Sequence, residues 1–194
     1  ANLRKGLFTF HISLGTFQPF SCYSIFMKRK TIVAIVGRPN VGKSTFVNRL
    51  AGSRNSIVDD QPGVTRDRIY FDVEWQNRKF TVIDTGGIIP DEETDIMVSI
   101  FDQAKIACEE ADKIVFIVDG KSGINPVDYD IANILRQSGK PILLAVNKLD
   151  NPNSLLMVSD FYALALGEPI AISALHGNAG VGDLLDLITE DFEV

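Results

Sequence analysis

Cysteine and histidine are scarce in this sequence, which has two of each among 194 residues. Cys22 and Cys108 cannot build a disulfide framework, and neither lies near His11 or His176 at a spacing typical of metal ligands. Long apolar runs are also missing, because each one ends within a few residues at Gly, Asp or Pro, short of the roughly 20 residues that a membrane span needs. We therefore expect a protein of a reducing compartment, with no structural metal and no membrane partner.

Acidic residues are missing from the first 30 positions, which nevertheless contain five basic residues. The chain has 19 basic and 25 acidic residues and a net charge of −6, so the part after residue 30 carries 14 basic residues against all 25 acidic ones. Sequence-independent phosphate binding relies on clustered Lys and Arg. An acidic body therefore argues against direct DNA binding.

The segment 1–26 mixes Phe, Ser and Thr without a sustained helical or strand period. We expect it to be an extension outside the fold, either non-native or translated upstream of a start at Met27. An organelle transit segment is the alternative, since transit segments are poor in acids and rich in Ser and Arg. A secretory signal is disfavoured because Gln18 and Pro19 interrupt any apolar core.

From residue 31 onward, β-branched runs alternate with amphipathic helical stretches, and 45% of the chain is apolar. Two strands joined only by Gln76 and Asn77 predict a hairpin, and hence one antiparallel edge strand. The pattern predicts an α/β fold with a mostly parallel six-stranded sheet and helices on both faces. The strands are expected at Thr31–Val36, Arg68–Trp75, Arg78–Asp84, Lys113–Asp119, Pro141–Val146 and Pro169–Ile172, and the helices at about 43–51, 94–110, 126–138, 154–166 and 180–190.

The first chemical motif is G-x-x-x-x-G-K-[ST], which lies between a predicted strand and a predicted helix. Its glycines allow the backbone N–H groups to surround a phosphate chain, while Lys43 would reach the β- and γ-phosphates and Ser44 would bind Mg²⁺. The motif predicts binding of a nucleoside triphosphate without saying which one. Its members are Gly37, Arg38, Pro39, Asn40, Val41, Gly42, Lys43 and Ser44, followed by Thr45.

A second motif, Asn147-Lys148-Leu149-Asp150, follows the fifth predicted strand and indicates the base. An ionised Asp only accepts hydrogen bonds, so Asp150 matches the N1–H and 2-amino donors of guanine, which adenine lacks. This argues against an ATP-using enzyme. After the last strand, Ser173, Ala174 and Leu175 could offer backbone N–H groups to guanine O6.

A third motif, Asp84-Thr85-Gly86-Gly87, follows the third predicted strand. Its carboxylate can hold Mg²⁺ through water, and the Gly87 N–H can sense the γ-phosphate. Thr65, in the polar loop before the second strand, is the natural second hydroxyl ligand for Mg²⁺. We expect 52–67 and 85–98 to move between nucleotide states, and we assign the catalytic roles to Lys43, Thr65 and Gly87.

These motifs occur in the order typical of the Era/Der group of translation-factor-class GTPases. The stretches GRPNVGKST, DQPGVTRDR, DTGGI and NKLD resemble the first G domain of the Der (EngA) family, and the resemblance covers residues 29 to about 190. It implies a Ras-like P-loop G domain over 27–190, with 191–194 beginning an interdomain linker. An Era-like relative is the alternative.

The resemblance also implies a function in ribosome biogenesis. Der-like proteins hydrolyse GTP slowly, bind the large ribosomal subunit and carry a second G domain and a KH-like domain that this chain lacks. We expect the bacterial cytoplasm, or the plastid stroma if 1–26 is a transit segment.

The residue after the third motif departs from many Ras-like enzymes, which place a water-orienting Gln there. Here it is Ile88, whose aliphatic side chain cannot orient water. Pro39 occupies the position near which an arginine finger would sit, and Asn40 resembles the asparagine that holds K⁺ in potassium-stimulated relatives. We therefore expect slow, Mg²⁺-dependent and K⁺-stimulated hydrolysis. The alternative is a slow or non-hydrolysing GTP/GDP switch module that regulates neighbouring domains.

Overall fold

A computed structural model describes residues 30–52, 69–85, 96–150, 152–177 and 180–192. Strands and helices alternate through most of this part, as predicted. The strands are β1 Thr31–Val36, β2 Ile69–Trp75, β3 Arg78–Asp84, β4 Lys113–Asp119, β5 Ile142–Asn147 and β6 Pro169–Ala171. The helices are α1 Lys43–Gly52, α2 Ile96–Glu110, α3 Pro126–Gln137 and α4 Val181–Thr189, with a 3-10 helix over Pro152–Leu164.

The strands form one six-stranded sheet in the order β2-β3-β1-β4-β5-β6. Every neighbouring pair is parallel except β2 and β3, which form the predicted antiparallel edge hairpin. Gln76 and Asn77 connect them with φ of 47° and 64°, the two positive angles of a type I′ turn. The predicted fold class is confirmed.

The core has two layers, one on each face of the sheet. Alternate residues of a strand point to opposite faces, so Val33 and Ile35 pack on one side and Ala34 and Val36 on the other. The first face is covered by α1 and α4, and the second by α2, α3 and the 3-10 helix. All seven residues of β4 are buried, as expected for a central strand of a parallel sheet.

The start of α3 shows why this helix begins where it does. Asn125 is the N-cap, and its side chain accepts a hydrogen bond from Val127 N at 3.0 Å. Its own backbone N–H donates to the Asp128 carboxylate at 2.9 Å, which completes a capping box. Pro126, with φ already suited to a first helical turn, follows the cap.

The helix predicted over 154–166 is a 3-10 helix over Pro152–Leu164. Val158, Phe161 and Leu164 pack against the second face of the sheet and are spaced three residues apart. A 3-10 helix has 3.0 residues per turn, so this spacing keeps all three on one side. The packing of this three-residue apolar repeat against the sheet is the physical reason for the difference from the regular helix expected.

The sheet positions the site, because the carboxyl ends of parallel strands meet at one edge and ligands of open α/β folds bind there. The predicted motifs follow β1, β3, β5 and β6 at this edge. Within the described ranges, no helix is long and apolar enough to cross a bilayer. Those ranges also hold no group of three His, Cys, Asp or Glu side chains suited to a metal ion.

Candidate functional site

The loop after β1 leads directly into α1, whose first residue is Lys43. Lys43 Nζ donates hydrogen bonds to Gly37 O at 2.6 Å and to Arg38 O at 3.0 Å, so the side chain folds back over its own loop. Burial lowers the pKa of Lys43, while the charge of Asp84 acts in the opposite direction. A cation and a helix N-terminus therefore meet here, the arrangement that binds phosphate.

Gly42 shows how closely this loop packs on the rest of the site. Its φ is 101°, and a Cβ at this position would lie 2.2 Å from Asn147 Nδ2. Only glycine adopts this conformation without strain and also leaves room for the amide. The loop and the segment after β5 can approach each other because this residue has no side chain.

Arg38 contacts residues outside the loop. Its Nη2 donates to Ser122 Oγ at 2.6 Å, and its Nε lies 3.3 Å from an oxygen of the fully buried Asp128 carboxylate. Burial raises the pKa of Asp128, and the Arg38 guanidinium opposes that shift. Arg38 therefore fastens the phosphate loop to the start of α3, a contact that the motif does not predict.

Asn147 joins three loops of the site. It ends β5 and is 3% exposed. Its Nδ2 donates to Val41 O at 2.8 Å, and its Oδ1 accepts from Ala174 N at 2.9 Å. One buried amide thus holds the loops after β1, β5 and β6 in fixed relation. Asn is suited to this because its side chain has both a donor and an acceptor.

Lys148 adds a second link between the same segments. Its Nζ donates to Asn40 O at 2.6 Å and to Asp119 Oδ2 at 2.7 Å. Burial raises the pKa of Asp119, but hydrogen bonds from Lys148, Ser122 and Lys121 outweigh it and leave the pKa below its usual value. Asp119 was not among the predicted site residues, although its place at the end of β4 was a usable signal.

Asp150 has both carboxylate oxygens engaged. Ser173 Oγ donates to Oδ1 at 2.7 Å, and Lys121 Nζ lies 2.7 Å from Oδ2. The hydrogen bonds from Lys121 and Ser173 lower the pKa of Asp150, so it is ionised at neutral pH. Lys121 was not among the predicted site residues. Asp150 and Lys121 help to line a pocket of about 180 Å³, together with Gly42, Thr45, Asn147, Lys148 and Leu175.

At the end of β3, Asp84 and Thr85 are both buried. Thr85 Oγ1 donates to Ile35 O at 2.7 Å, which secures the turn to β1. Ser44 is exposed in the first turn of α1. The other predicted members of this part of the site, Thr65, Gly86, Gly87 and Ile88, lie outside the described residues, as do most of the two segments expected to move.

A larger cavity of about 620 Å³ is lined by residues of β5, by the turn before β6 and β6 itself, and by α4. Its lining is apolar apart from a few groups that include Glu168 and Asp183, and it contains no predicted site residue. The smaller pocket is the candidate nucleotide site, because Gly42 and Thr45 of the phosphate-loop region and the base-recognition segment meet there, beside the cations of Lys121 and Lys148.

A phosphate loop and a base-recognition segment joined at one edge of a parallel sheet define the class of P-loop guanine-nucleotide-binding domains. Residues 32–148 match the model of the family described as 50S ribosome-binding GTPase, and the chain belongs to that family.

Curated relatives confirm the predicted resemblance to Der. The chain is 55% identical over 161 residues to GTPase Der of Geobacillus sp. (strain WCH70), which is 83% of this chain and 36% of that protein. It is 57% identical over 159 residues to GTPase Der of Streptococcus gordonii, 82% of this chain and 36% of the relative. The chain therefore spans about a third of the length of these relatives.

Solved structures of Era are similar in fold. An Era variant from Aquifex aeolicus bound to GDP and AlF4⁻ has a TM-score of 0.65 and 32% identity, over 86% of this chain and 58% of that one. Era in complex with MgGDPNP and a segment of 16S ribosomal RNA has a TM-score of 0.63 and 31% identity, over 84% of this chain and 57% of that one. Both support a Ras-like G domain.

Proposed function

We propose that this chain is a G domain that binds GTP and hydrolyses it to GDP and phosphate as part of a Der-like protein. One observation carries the proposal. Asn147 and Lys148 bond to the carbonyls of Val41 and Asn40 at 2.8 and 2.6 Å, so the base-recognition and phosphate loops form one site. If either motif were a chance match in the sequence, there would be no reason for the two loops to be hydrogen-bonded to each other.

Base recognition rests on Asp150 and the loop after β6. The ionised carboxylate accepts from guanine N1–H and the 2-amino group, and Ser173 holds it in place. In the loop after β6, the Ala174 N–H that was also predicted to meet O6 donates instead to Asn147 Oδ1 at 2.9 Å, so we propose the backbone N–H groups of Ser173 and Leu175 as the donors to O6. At the other end of the nucleotide, Lys43 and the N–H groups of its loop neutralise the phosphates.

The residues present also fit Mg²⁺, which prefers oxygen ligands. Ser44 offers a hydroxyl at the start of α1 and Asp84 a carboxylate at the end of β3, beside the Lys43 ammonium. We propose that these two, with Thr65, hold the ion. When bound, Mg²⁺ would offset the negative charge of the phosphates.

Slow turnover follows from the side chains available to the attacking water. Ile88 cannot orient it, and Gly87 is proposed to sense the γ-phosphate through its N–H. Asn40 is exposed in the left-handed region at φ 65°, with its carbonyl held by Lys148, so its side-chain oxygen is available for K⁺. The missing Gln also supports a second candidate, a switch module with negligible hydrolysis.

The wider function is proposed from the relatives. The Der relatives and the family described as 50S ribosome-binding GTPase support an activity in assembly of the large ribosomal subunit. We propose that a longer protein with a second G domain and a KH-like domain carries out this activity in the bacterial cytoplasm. Residues 1–26 would lie outside the G domain of 27–190, and 191–194 would begin the linker.

Replacing Asp150 tests the base assignment. In Asp150→Asn the amide can donate where the carboxylate could only accept, so GDP affinity should fall about 100-fold or more and xanthosine diphosphate should bind better. Isothermal titration with both nucleotides measures this. Asp160→Asn changes an exposed Asp on the 3-10 helix and should alter neither affinity. Unchanged GDP binding by Asp150→Asn would remove the proposed recognition.

Single-turnover hydrolysis distinguishes the two candidate functions. With Mg²⁺ present, the rate in K⁺ should exceed the rate in Na⁺ at equal ionic strength, and Asn40→Ala should abolish the difference. Asn48→Ala, at an exposed position of α1, is the matched control. Equal rates in the two salts would exclude the K⁺ site, and tight binding without turnover would favour the switch module.

A further inference from the structure

The loop that follows β6 is held from behind by an arginine of α1. Arg49 Nε donates to Ala174 O at 2.6 Å, and its Nη2 donates to Leu175 O. The loop is closed by a hydrogen bond from Gly177 N to Ser173 O at 2.8 Å. The guanidinium therefore fixes two consecutive peptide groups, whose N–H groups belong to Leu175 and His176 and lie on the side opposite their carbonyls. The His176 N–H donates to Ser173 Oγ at 3.4 Å, so the Leu175 N–H is the one that Arg49 can direct at a ligand.

Gly177 provides a second and independent sign that this contact is built into the loop. Its φ is 71°, and a Cβ there would lie 2.0 Å from Arg49 Nη1. A side chain at this position would occupy the space of the guanidinium. The loop thus has a glycine where the arginine lies against it.

Arginine suits this position because its planar fork carries several donors in fixed directions. A lysine ammonium is a compact point charge, so it could form a well-aligned hydrogen bond with only one of the two carbonyls. Arg49 lies in the last turn of α1, and Lys43 begins the same helix. One rigid element therefore contacts the phosphate end of the site and the loop at its base end.

We infer that Arg49 is a positioning residue for guanine recognition, which acts by aiming the backbone N–H of Leu175 at O6 of the base. The inference rests on the proposed binding of guanine nucleotides. It assigns base specificity to a residue that touches neither base nor phosphate and lies outside every motif of the sequence.

Two GDP analogues separate this role from general stability. In 6-thio-GDP a larger and weaker sulfur acceptor replaces O6, so it reports on the donor to O6, the Leu175 N–H. Inosine diphosphate keeps O6 and lacks the 2-amino group, so it reports on Asp150. In the unmodified chain both analogues should bind more weakly than GDP.

Arg49→Met keeps an unbranched apolar stem but not the guanidinium, and it removes both hydrogen bonds. GDP affinity should fall about tenfold, the size expected for losing charge-assisted bonds. The preference for GDP over 6-thio-GDP should shrink toward one, while the preference over inosine diphosphate stays. The GDP affinity of Arg49→Lys should lie between those of the unmodified chain and Arg49→Met. Gly177→Ala should lower the preference for GDP over 6-thio-GDP as Arg49→Met does, because its Cβ displaces the guanidinium.

Arg136→Met is the matched control, since Arg136 also lies in the last turn of a helix and donates to a backbone carbonyl, Ala132 O, away from the site. It should leave all three affinities unchanged. Thermal unfolding of each variant confirms that it is folded. The inference would be overturned if Arg49→Met lost the same amount of affinity for all three nucleotides, or lost none. Absence of GDP binding by the unmodified chain would instead refute the proposed function.

Discussion

At the scale of single residues, the motif residues were predictable and several of their partners were not. Lys43, Asn147 and Asp150 follow from residue type and spacing, because the chemistry of phosphate and guanine restricts what can stand there. Lys121 and Arg49 are far from these motifs in sequence, and their contacts depend on the packing of separate loops. Conventional motifs do not encode that packing.

Asn147→Ala should destabilise the fold as well as the site. The change leaves Val41 O and Ala174 N without their partners inside the protein. Each unsatisfied buried group costs about 1–3 kcal/mol, so we expect a loss of about 2–4 kcal/mol in the free energy of unfolding. Urea denaturation measures it. A loss below about 0.5 kcal/mol would show that the two loops are held by other contacts.

Lys121→Met should raise the pKa of Asp150. The Lys121 hydrogen bond is the largest influence that lowers this pKa below the ordinary value of 3.8, so its removal moves the pKa upward. The carboxylate then protonates at a higher pH, and the acid limit of guanine binding rises with it. Carbon-13 NMR of the Asp150 carboxyl group follows the titration.

Lys140→Met is the control for this titration, because Lys140 donates to Ala111 O and does not approach Asp150. The Asp150 pKa should be the same in this variant as in the unmodified chain. If Lys121→Met also left it unchanged, the ion pair would have no effect on the charge of the base-binding carboxylate.

At the scale of elements, strand positions were predicted within one or two residues wherever both bounds are described. Most strand residues are apolar or β-branched. The carboxyl ends of β1, β3 and β5 coincide with a motif, β4 ends before Gly120, and β6 begins at Pro169. The 3-10 helix shows the limit, since an apolar period of three in Val158, Phe161 and Leu164 also fits a regular helix over a short stretch. Packing against the sheet decides between them.

Asn125→Ala should weaken α3 at its start. The loss of the side-chain bond to Val127 N leaves one donor of the first turn unsatisfied, which costs about 0.5–2 kcal/mol of stability. Asn125→Ser keeps a capping oxygen and should remain within a few tenths of a kcal/mol of the unmodified chain. Equal stabilities of the two variants in urea would indicate that the capping box contributes nothing.

At the scale of the whole molecule, the end of the described chain is secured by a buried lysine at the start of β4. Lys113 Nζ donates to Ile188 O at 2.9 Å and to Asp191 Oδ1 at 2.6 Å, and it lies 5.2 Å from the centre of the Phe192 ring. A cation at a helix C-terminus satisfies carbonyls that have no partner within the helix. The last turn of α4 is therefore fixed to the sheet.

Lys113→Met should lower the free energy of unfolding by about 2–3 kcal/mol, because the carbonyls at the end of α4 lose a charged donor. Lys105→Met serves as its control. Lys105 is 63% exposed and, within the described part of the chain, forms an i,i+3 pair with Asp102, so its removal should cost less than about 0.5 kcal/mol. Similar losses in the two variants would contradict a special role for the buried lysine.

Phe192 packs against Phe80 with ring centres 5.8 Å apart, and Phe80 is the partner of Thr31 in the register of β1 and β3. Residues 30 and 192 thus emerge at the amino edge of the sheet, on the far side from the nucleotide loops. The domain can therefore be immobilised on a solid support through either of these positions while its nucleotide pocket stays accessible to solvent. Nucleotide affinities measured on such a support should equal those measured in free solution.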